Sequence, residues 1–238
     1  MTANQMGDEL EVLFNKVTNN DAPGYEDTEL SLVLSKAQER FVFQTYAGTN
    51  KLKEGFEETE KRRKDLDELL SNSEITTASA NQTGSLPNGT FYDLPTDFMY
   101  AISEQATISS SDECLNGNRI KVKPITHDLY AENIDNPFKQ PSDELVWRLD
   151  FSRLTADTNP KRHELITDGT YTISKYHLRY LRVAPEIVVD RADTANQVNC
   201  ILNETTHRRI IDIAVELLLE ITVDGRLQTN LLLNQMNE

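Results

Sequence analysis

Residues 171–222 read YTISKYHLRYLRVAPEIVVDRADTANQVNCILNETTHRRIIDIAVELLLEIT, which predicts a strand, a turn region and a helix in succession. Tyr171–Val183 alternates apolar with polar residues, as a half-buried strand does. The apolar residues change from odd to even positions along this strand. One face therefore stays buried only if a bulge lies near Ser174-Lys175. Pro185 then ends the strand or places it at the edge of a sheet.

The helix that follows begins at Asn203, whose side chain is suited to cap a helix N-terminus. Its apolar residues recur at three- and four-residue steps, which indicates one buried face. The members of this predicted stripe are Ile210, Ile211, Ile213, Ala214, Leu217, Leu218 and Ile221. Beyond Gly225 we expect a short final helix over residues 227–233.

Three more helices are predicted in the N-terminal part of the chain. Residues 8–17 form a short one with apolar residues on one side. A stronger helix is capped by Asp27 or Thr28 and ends near Gly48. Residues 56–70 form a third, in which opposite charges recur four residues apart. This pattern is typical of a solvated helix or of one that lies across a partner.

The middle of the chain changes to a period of two, which indicates strands. Residues 71–89, rich in Ser, Thr and Asn, are predicted to be a linker. Asn116-Gly-Asn predicts a hairpin turn between strands over 106–109 and 119–123. Thr126 is suited to cap a short helix that ends before Asn136-Pro137.

Together these elements predict an α+β fold, with a helical bundle from the N- and C-terminal helices and a β-rich insert between them. The expected division is 1–72 for the N-terminal helices and 73–200 for the β-rich insert. Residues 201–238 supply the C-terminal helices, which complete the bundle and contact a partner.

The chain is acidic, with 39 acidic and 24 basic residues and a formal net charge of −15. Tight binding to nucleic acid comes mainly from Lys and Arg on phosphates, so this charge argues against such a function and against docking on an anionic membrane. No long apolar run predicts a transmembrane helix, and the N-terminal residues do not resemble a signal peptide. Two cysteines are too few for a disulfide framework or a zinc site, so we expect free thiols.

The sequence contains no recognisable catalytic motif. It lacks the phosphate-binding patterns GxxxxGK[ST] and GxGxxG. Its four histidines, for which surface or capping roles are expected, have no metal-ligand spacing; they are His127, His163, His177 and His207. Asp112–Arg119 resembles a calcium loop only loosely and is expected to be a turn. We therefore expect no enzymatic activity, no cofactor and no bound metal.

Residues 151–203 differ from the rest of the chain in charge, because they carry seven bases and six acids. Lys175, Arg179, Arg182 and Arg191 belong to this segment. A mixed surface is one interpretation. The other is a basic patch that meets an acidic neighbour and fixes the orientation of the two partners. Since the chain is acidic elsewhere, a second copy of it is a suitable neighbour.

Three parts of the chain together resemble the head-to-tail adaptor, or connector ring, proteins of tailed bacteriophages. They are the helix TELSLVLSKAQERFVFQTY, the run from FYDLPTDFMYAISEQATI to ELVWRLDFSR, and HELITDGTYTISKYHLRYLRVAPEIVV with the helix ETTHRRIIDIAVELLLEI. The strongest elements are Asn136-Pro137-Phe138, Trp147-Arg148-Leu149 and Tyr180-Leu181-Arg182. The combination is most similar to ring proteins of crAss-like podoviruses, which infect gut bacteria, and it spans residues 28–223.

The resemblance implies a structural protein without enzymatic activity, made in the cytoplasm of a bacterial host and located at the head–tail junction of the virion. Such proteins form a closed ring, usually a dodecamer, between portal and tail. The implied partners are further copies of the chain, the portal protein or another ring protein, and tail components. Genomic DNA passes through the lumen without specific binding, and an acidic lumen wall would repel its phosphates.

Five residues are candidates for contact with a neighbouring subunit or partner: Trp147, Arg148, Arg179, Tyr180 and Arg182. For Trp147 the main alternative is the core of a strand, because it alternates with Leu145 and Leu149.

Three other functions stay open at this point. A tail or baseplate structural protein would share these features but lie elsewhere in the particle. A cellular ligand-binding module would have a concave apolar pocket. A hydrolase would need a pair of acids in a cleft with perturbed pKa values.

Overall fold

The structure, a computed structural model, describes residues 1–17, 24–49, 53–152 and 161–222. The described residues form the α+β fold that the sequence predicts. The helices are α1 (Ala3–Val17), α2 (Asp27–Ala47), α3 (Glu60–Leu66), α4 (His127–Asn133) and α5 (His207–Thr222). The strands are β1 (Leu70–Ile75), β2 (Gly89–Asp93), β3 (Phe98–Ser109), β4 (Arg119–Pro124), β5 (Leu145–Ser152), β6 (Lys161–Ile166) and β7 (Thr172–Arg182). The final helix predicted over 227–233 lies outside the described residues.

The chain divides into two compact units. One, here called the helical unit, consists of Met1–Leu69 and the segment that begins at Ala184. The other, the sheet unit, is Leu70–Val183. The sequence predicts these boundaries at 72/73 and 200/201. In the structure, residues 184–200 belong to the helical unit and not to the sheet unit.

In the helical unit, α5 packs against α1 and α2. The buried residues of α5 are Ile210, Ile211, Ala214, Val215, Leu218 and Leu219. The predicted stripe was therefore rotated, since Ile221 is 69% exposed and Val215 and Leu219 are buried instead. Asn203, predicted to cap this helix, caps a short 3₁₀ helix over Glu204–Thr206 that leads directly into α5; its side chain accepts a hydrogen bond from the amide of Thr205 at 3.1 Å.

The extended segment after β7 is held against α1 and α2 by side-chain hydrogen bonds to its backbone. Ser35 accepts from the amide of Ile187 at 3.0 Å, and Ser31 accepts from the amide of Val189 at 2.8 Å. The Gln38 amide donates to the Pro185 carbonyl at 2.8 Å. These bonds satisfy backbone groups of the segment that a sheet ladder would otherwise pair.

Three of the predicted element boundaries were wrong. The first helix begins at Ala3 rather than at residue 8. The third helix begins only at Glu60, because Thr59 caps it by accepting from the amide of Arg62 at 3.4 Å, and Leu70 already belongs to β1. The predicted linker over 71–89 contains strand β1, whose sequence LSNSEI has little apolar content to announce a strand.

The seven strands form one sheet in the order β1-β7-β3-β4-β5-β6-β2. All neighbouring pairs are antiparallel except β4 and β5, which are parallel. The sheet curls, so that Tyr92 of β2 reaches Tyr176 of β7 with 5.9 Å between ring centroids. We call the enclosed side the inner face; its buried residues are Tyr92, Leu94, Phe98, Ala106, Ile108, Ile120, Val146, Leu165, Tyr171, Tyr176, Leu178 and Tyr180.

Several local predictions for the sheet unit are confirmed. The ladder between β3 and β7 passes from Thr107↔Lys175 to Ile108↔Ile173, so Ser174 is the extra residue of the predicted bulge. Strands β3 and β4 are antiparallel neighbours, and Gly117 in the turn between them has φ +84°. The side chain of Thr126 caps α4 by accepting from the amide of Leu129 at 3.3 Å.

Candidate interaction surface

The other side of the sheet, here called the outer face, carries basic side chains over β4 and β7. Because side chains alternate along a strand, the sequence R-I-K-V-K of β4 directs its three bases to this side and Ile120 to the inner face. Strand β7 alternates in the same way. Lys175, His177 and Arg179 lie on the outer face, whereas Tyr176 and Leu178 lie on the inner face. We define the basic face as Arg119, Lys121, Lys123, Lys175 and Arg179.

One acid, Glu74 of β1, lies among these bases. Its carboxylate accepts a hydrogen bond from Lys175 Nζ at 2.6 Å and lies 3.5 Å from His177 Nδ1. The hydrogen bond from Lys175 holds the pKa of Glu74 below its usual value. His177 Nε2 in turn lies 2.9 Å from the hydroxyl of Thr107. The charge of Glu74 is thus already matched inside the sheet unit.

A groove of about 470 Å³ crosses the basic face. Its lining comes from β1, β3, β4 and β7 and consists of Asn72, Ser73, Glu74, Ser103, Gln105, Arg119, His177, Leu178 and Arg179. Arg119 and Arg179 are both exposed, and within the described parts of the chain neither forms an ion pair. Hydroxyl, amide and guanidinium groups in one groove offer several donors to an acceptor such as a carboxylate.

Arg179 is the predicted interface residue that lies on this face. Arg182 stands three positions further along β7, and the period of two puts it on the opposite side of the strand, where its Nε is buried. The two arginines that the sequence grouped as one patch are therefore separated. Contact of either with a neighbouring subunit stays a prediction.

The remaining three candidates are buried within the subunit. Trp147 is 3% exposed and packs edge-on against Tyr130 of α4, with 6.2 Å between centroids. Tyr180 is 4% exposed, and its hydroxyl donates to Asp97 Oδ1 at 2.9 Å. Arg148 is 8% exposed. This burial favours the core interpretation of Trp147 and leaves all three little surface for a partner.

Arg148 belongs to a buried polar network on the inner face that the sequence did not predict. Its Nη1 lies 3.1 Å from His163 Nε2, 3.4 Å from Glu104 Oε1 and 3.4 Å from Asp150 Oδ1. The side chain of Glu104 is 6% exposed and that of His163 is 2% exposed, so this charge lies away from water. The side chain of Asp150 is 75% exposed, so the network reaches solvent at this residue.

Tyr176 joins the network at its buried end. Its hydroxyl lies 2.7 Å from His163 Nδ1 and donates to the carboxylate of Glu104. Burial, and then the neighbouring charge of Glu104, raises the pKa of Tyr176 well above its usual value. The network links β3, β5, β6 and β7 through side chains that come from distant parts of the sequence.

Two further residues differ from their predictions. Arg191 lies in the helical unit, where its guanidinium bonds to Asp8 at 2.9 Å, to Asp27 at 3.0 Å and to Glu11 at 3.1 Å. It is therefore not part of the basic face. His207, for which a surface or capping role was expected, is 4% exposed, which excludes the surface role, and its Nε2 lies 2.9 Å from the Leu202 carbonyl oxygen.

Within the described residues, no group of three or more His, Cys, Asp and Glu side chains is placed to hold a metal ion. The helices described there include none that is both long and apolar enough to cross a membrane. Residues 113–117 of the predicted Asp112–Arg119 turn form turns, in which the Cys114 amide donates to Asp112 Oδ1 at 2.9 Å, and Arg119 already belongs to β4.

Comparison with known proteins gives consistent results over almost the whole chain. The family model described as phage tail ring protein 3/4 matches residues 1–228. Ring protein 4/5 of Bacteroides phage crAss001 is 31% identical over 251 residues, which cover 100% of both chains. Ring protein 3 of the same phage is 30% identical and covers 91% of this chain and 94% of its own.

Proposed function

Because the chain belongs to the family of phage tail ring proteins 3/4, we propose that it forms a closed ring between portal and tail, through which the genomic DNA passes. The match over residues 1–228 carries this proposal. The ring is a structural part of the virion and catalyses no reaction. Twelve copies are the expected number, following the resemblance to connector rings.

The charge distribution supports a ring as well. A closed ring repeats one heterologous contact around an axis, so each subunit needs two different complementary surfaces. The basic face of the sheet unit is one distinct surface on a chain whose formal net charge is −15. Acidic surface elsewhere repels DNA phosphates, which favours passage of the genome over retention.

We also carry the predicted helical bundle with a β-rich insert into this proposal. The packing of α5 against both α1 and α2 supports a bundle built from the two ends of the chain. In this arrangement the bundle docks on the portal or on a preceding ring, and the sheet unit contacts tail components.

The first experiment measures the mass of the purified protein by light scattering, alone and after mixing with the cognate portal protein. We expect a ring whose mass is a multiple of the chain mass of 27.1 kDa, formed alone or on the portal. Electron microscopy of the same sample gives the subunit number. A protein that stays monomeric under both conditions contradicts the proposal.

A second location, further along the tail, is favoured by the family description, which reads "phage tail ring protein". Gold labelling of an epitope-tagged copy in purified virions separates the two locations. Label next to the capsid supports the adaptor position, and label at the distal tail supports a ring elsewhere in the particle.

A further inference from the structure

The basic face stands out because its charge is opposite to that of the chain. The helical unit contains 24 acidic and 13 basic residues, and the sheet unit contains 15 and 11. The outer side of β1, β3, β4 and β7 reverses this balance, with five bases and the single acid Glu74. Glu74 is matched by Lys175, so the positive charge of the groove comes from Arg119 and Arg179.

Four stretches of the helical unit carry three carboxylates in four residues, at 8–11, 26–29, 57–60 and 65–68. The segment Glu57–Glu60 is the one of these four in which all three acidic residues, Glu57, Glu58 and Glu60, are exposed. The turn that presents them is anchored by Phe56, which is 6% exposed and stacks on Tyr46 with 6.4 Å between ring centroids. Its other end is fixed where Thr59 caps α3. We call Glu57–Glu60 the acidic turn.

We propose that the groove of the basic face receives the acidic turn of a neighbouring copy of this chain, with Arg119 and Arg179 binding the carboxylates of Glu57 and Glu58. The proposal rests on the ring function and names the contact that would close the ring. Arginine suits this site, since its planar guanidinium binds a carboxylate through two parallel hydrogen bonds. Asn72, Ser103 and Gln105 add uncharged donors to the groove floor.

The contact is of the heterologous kind that a ring requires. Each copy offers a groove to one neighbour and an acidic turn to the other, so the two surfaces are different and neither pairs with itself. Contacts between exposed charges depend on salt and mainly set orientation and the rate of association. Apolar surfaces elsewhere in the interface are free to supply most of the affinity.

The test uses charge reversal in the full-length protein, with assembly followed by mass photometry. The variant Arg119→Glu/Arg179→Glu should need about tenfold more protein for half-assembly, because like charges then face each other. Glu57→Lys/Glu58→Lys should weaken assembly similarly. A variant with all four changes should assemble again. Lys139→Glu, an exposed reversal outside the basic face, is the matched control and should assemble normally.

Mixing the two weakened variants gives the sharpest result. The intact acidic turn of one fits the intact groove of the other, and the lysines of the reversed turn fit the glutamates of the reversed groove. A 1:1 mixture should therefore form rings in which the two variants alternate, although each variant alone assembles poorly. Both variants should show normal circular dichroism, since the changed residues are exposed.

The outcomes separate this proposal from the ring function. If the unchanged protein never assembles, the ring function fails. If it assembles and the Arg119→Glu/Arg179→Glu variant assembles equally well, the ring function stands and the groove contact is wrong. Failure of the four-residue swap to restore assembly also overturns the pairing with the acidic turn.

Discussion

Arg148 and Arg179 lie on the same sheet, but on opposite faces and with opposite surroundings. Arg148 is 8% exposed and has His163, Glu104 and Asp150 within 3.4 Å. Arg179 is exposed and lines an open groove without an ion-pair partner among the described residues. A buried charge requires compensation inside the fold, whereas an exposed one leaves its hydrogen-bonding capacity for a partner. The inner face thus determines stability and the outer face is available for assembly.

The largest expected effect tests the inner face. Arg148→Met removes the cation and leaves Glu104 buried without a counter-charge, so we expect a loss of about 3–5 kcal/mol in the free energy of unfolding. Urea denaturation followed by circular dichroism measures it. The double variant Arg148→Met/Glu104→Gln should recover part of the loss, because both charges are then gone. A loss below about 1 kcal/mol would remove the contrast between the faces.

A smaller loss is expected for Tyr176→Phe, which deletes the hydroxyl between His163 and Glu104 and leaves both without that partner. We expect a decrease of about 1–3 kcal/mol in unfolding free energy, again from urea denaturation. Tyr180→Phe is the matched control. Its hydroxyl donates to Asp97 and also hydrogen-bonds with Ser71, in a place that is only partly buried, so its removal should cost less. Equal losses would show that the network adds nothing beyond single bonds.

The stability of the inner face should also depend on pH in the alkaline range, because Tyr92 is buried there. Burial raises the pKa of Tyr92 to about 12, against about 10 in the unfolded chain. Between these values the unfolded state releases a proton that the folded state keeps, so stability is full below about pH 10 and falls as the pH rises towards 12. Urea midpoints across this range should decrease, and they should decrease less steeply in Tyr92→Phe. An unchanged slope in that variant contradicts the raised pKa.

The smallest effect belongs to the outer face. Arg179→Met repeats the substitution made at Arg148, but it should change the unfolding free energy by no more than about 0.5 kcal/mol, because the side chain is exposed and has no ion-pair partner within the described part of the chain. The same urea experiment serves as the measurement. A loss close to that of Arg148→Met would mean that the outer bases stabilise the subunit rather than a contact with a partner.

The same two faces show what the sequence predicts well. The bulge at Ser174, the turn at Gly117 and the cap at Thr126 each depend on a few neighbouring residues, and each is confirmed. The alternation R-I-K-V-K over 119–123 also predicts that the three bases of β4 share one face. Charge was counted only over residues 151–203, so this part of the basic face was not detected.

Other features depend on residues far apart in the chain. The buried polar network takes one side chain from each of four strands: Glu104, Arg148, His163 and Tyr176. Their spacing in the sequence does not predict that the curl of the sheet brings them together. Strand β1 is polar because it lies at the sheet edge, where pairing with β7 alone suffices to hold it. Tertiary pairing of this kind overrides local preference.

The two ends of the sheet unit lie side by side, since Leu70 at its start pairs with Leu181 near its end. Neighbouring strands are only about 4.8 Å apart. The distance between the first and last residues of the sheet unit is therefore short enough for a linker of a few residues to bridge it in place of residues 70–183. Domains whose termini meet in this way tolerate transplantation into a host loop. The sheet unit thus has the geometry of an exchangeable cassette, which lets evolution refit one part of a ring subunit while the rest of the chain is retained.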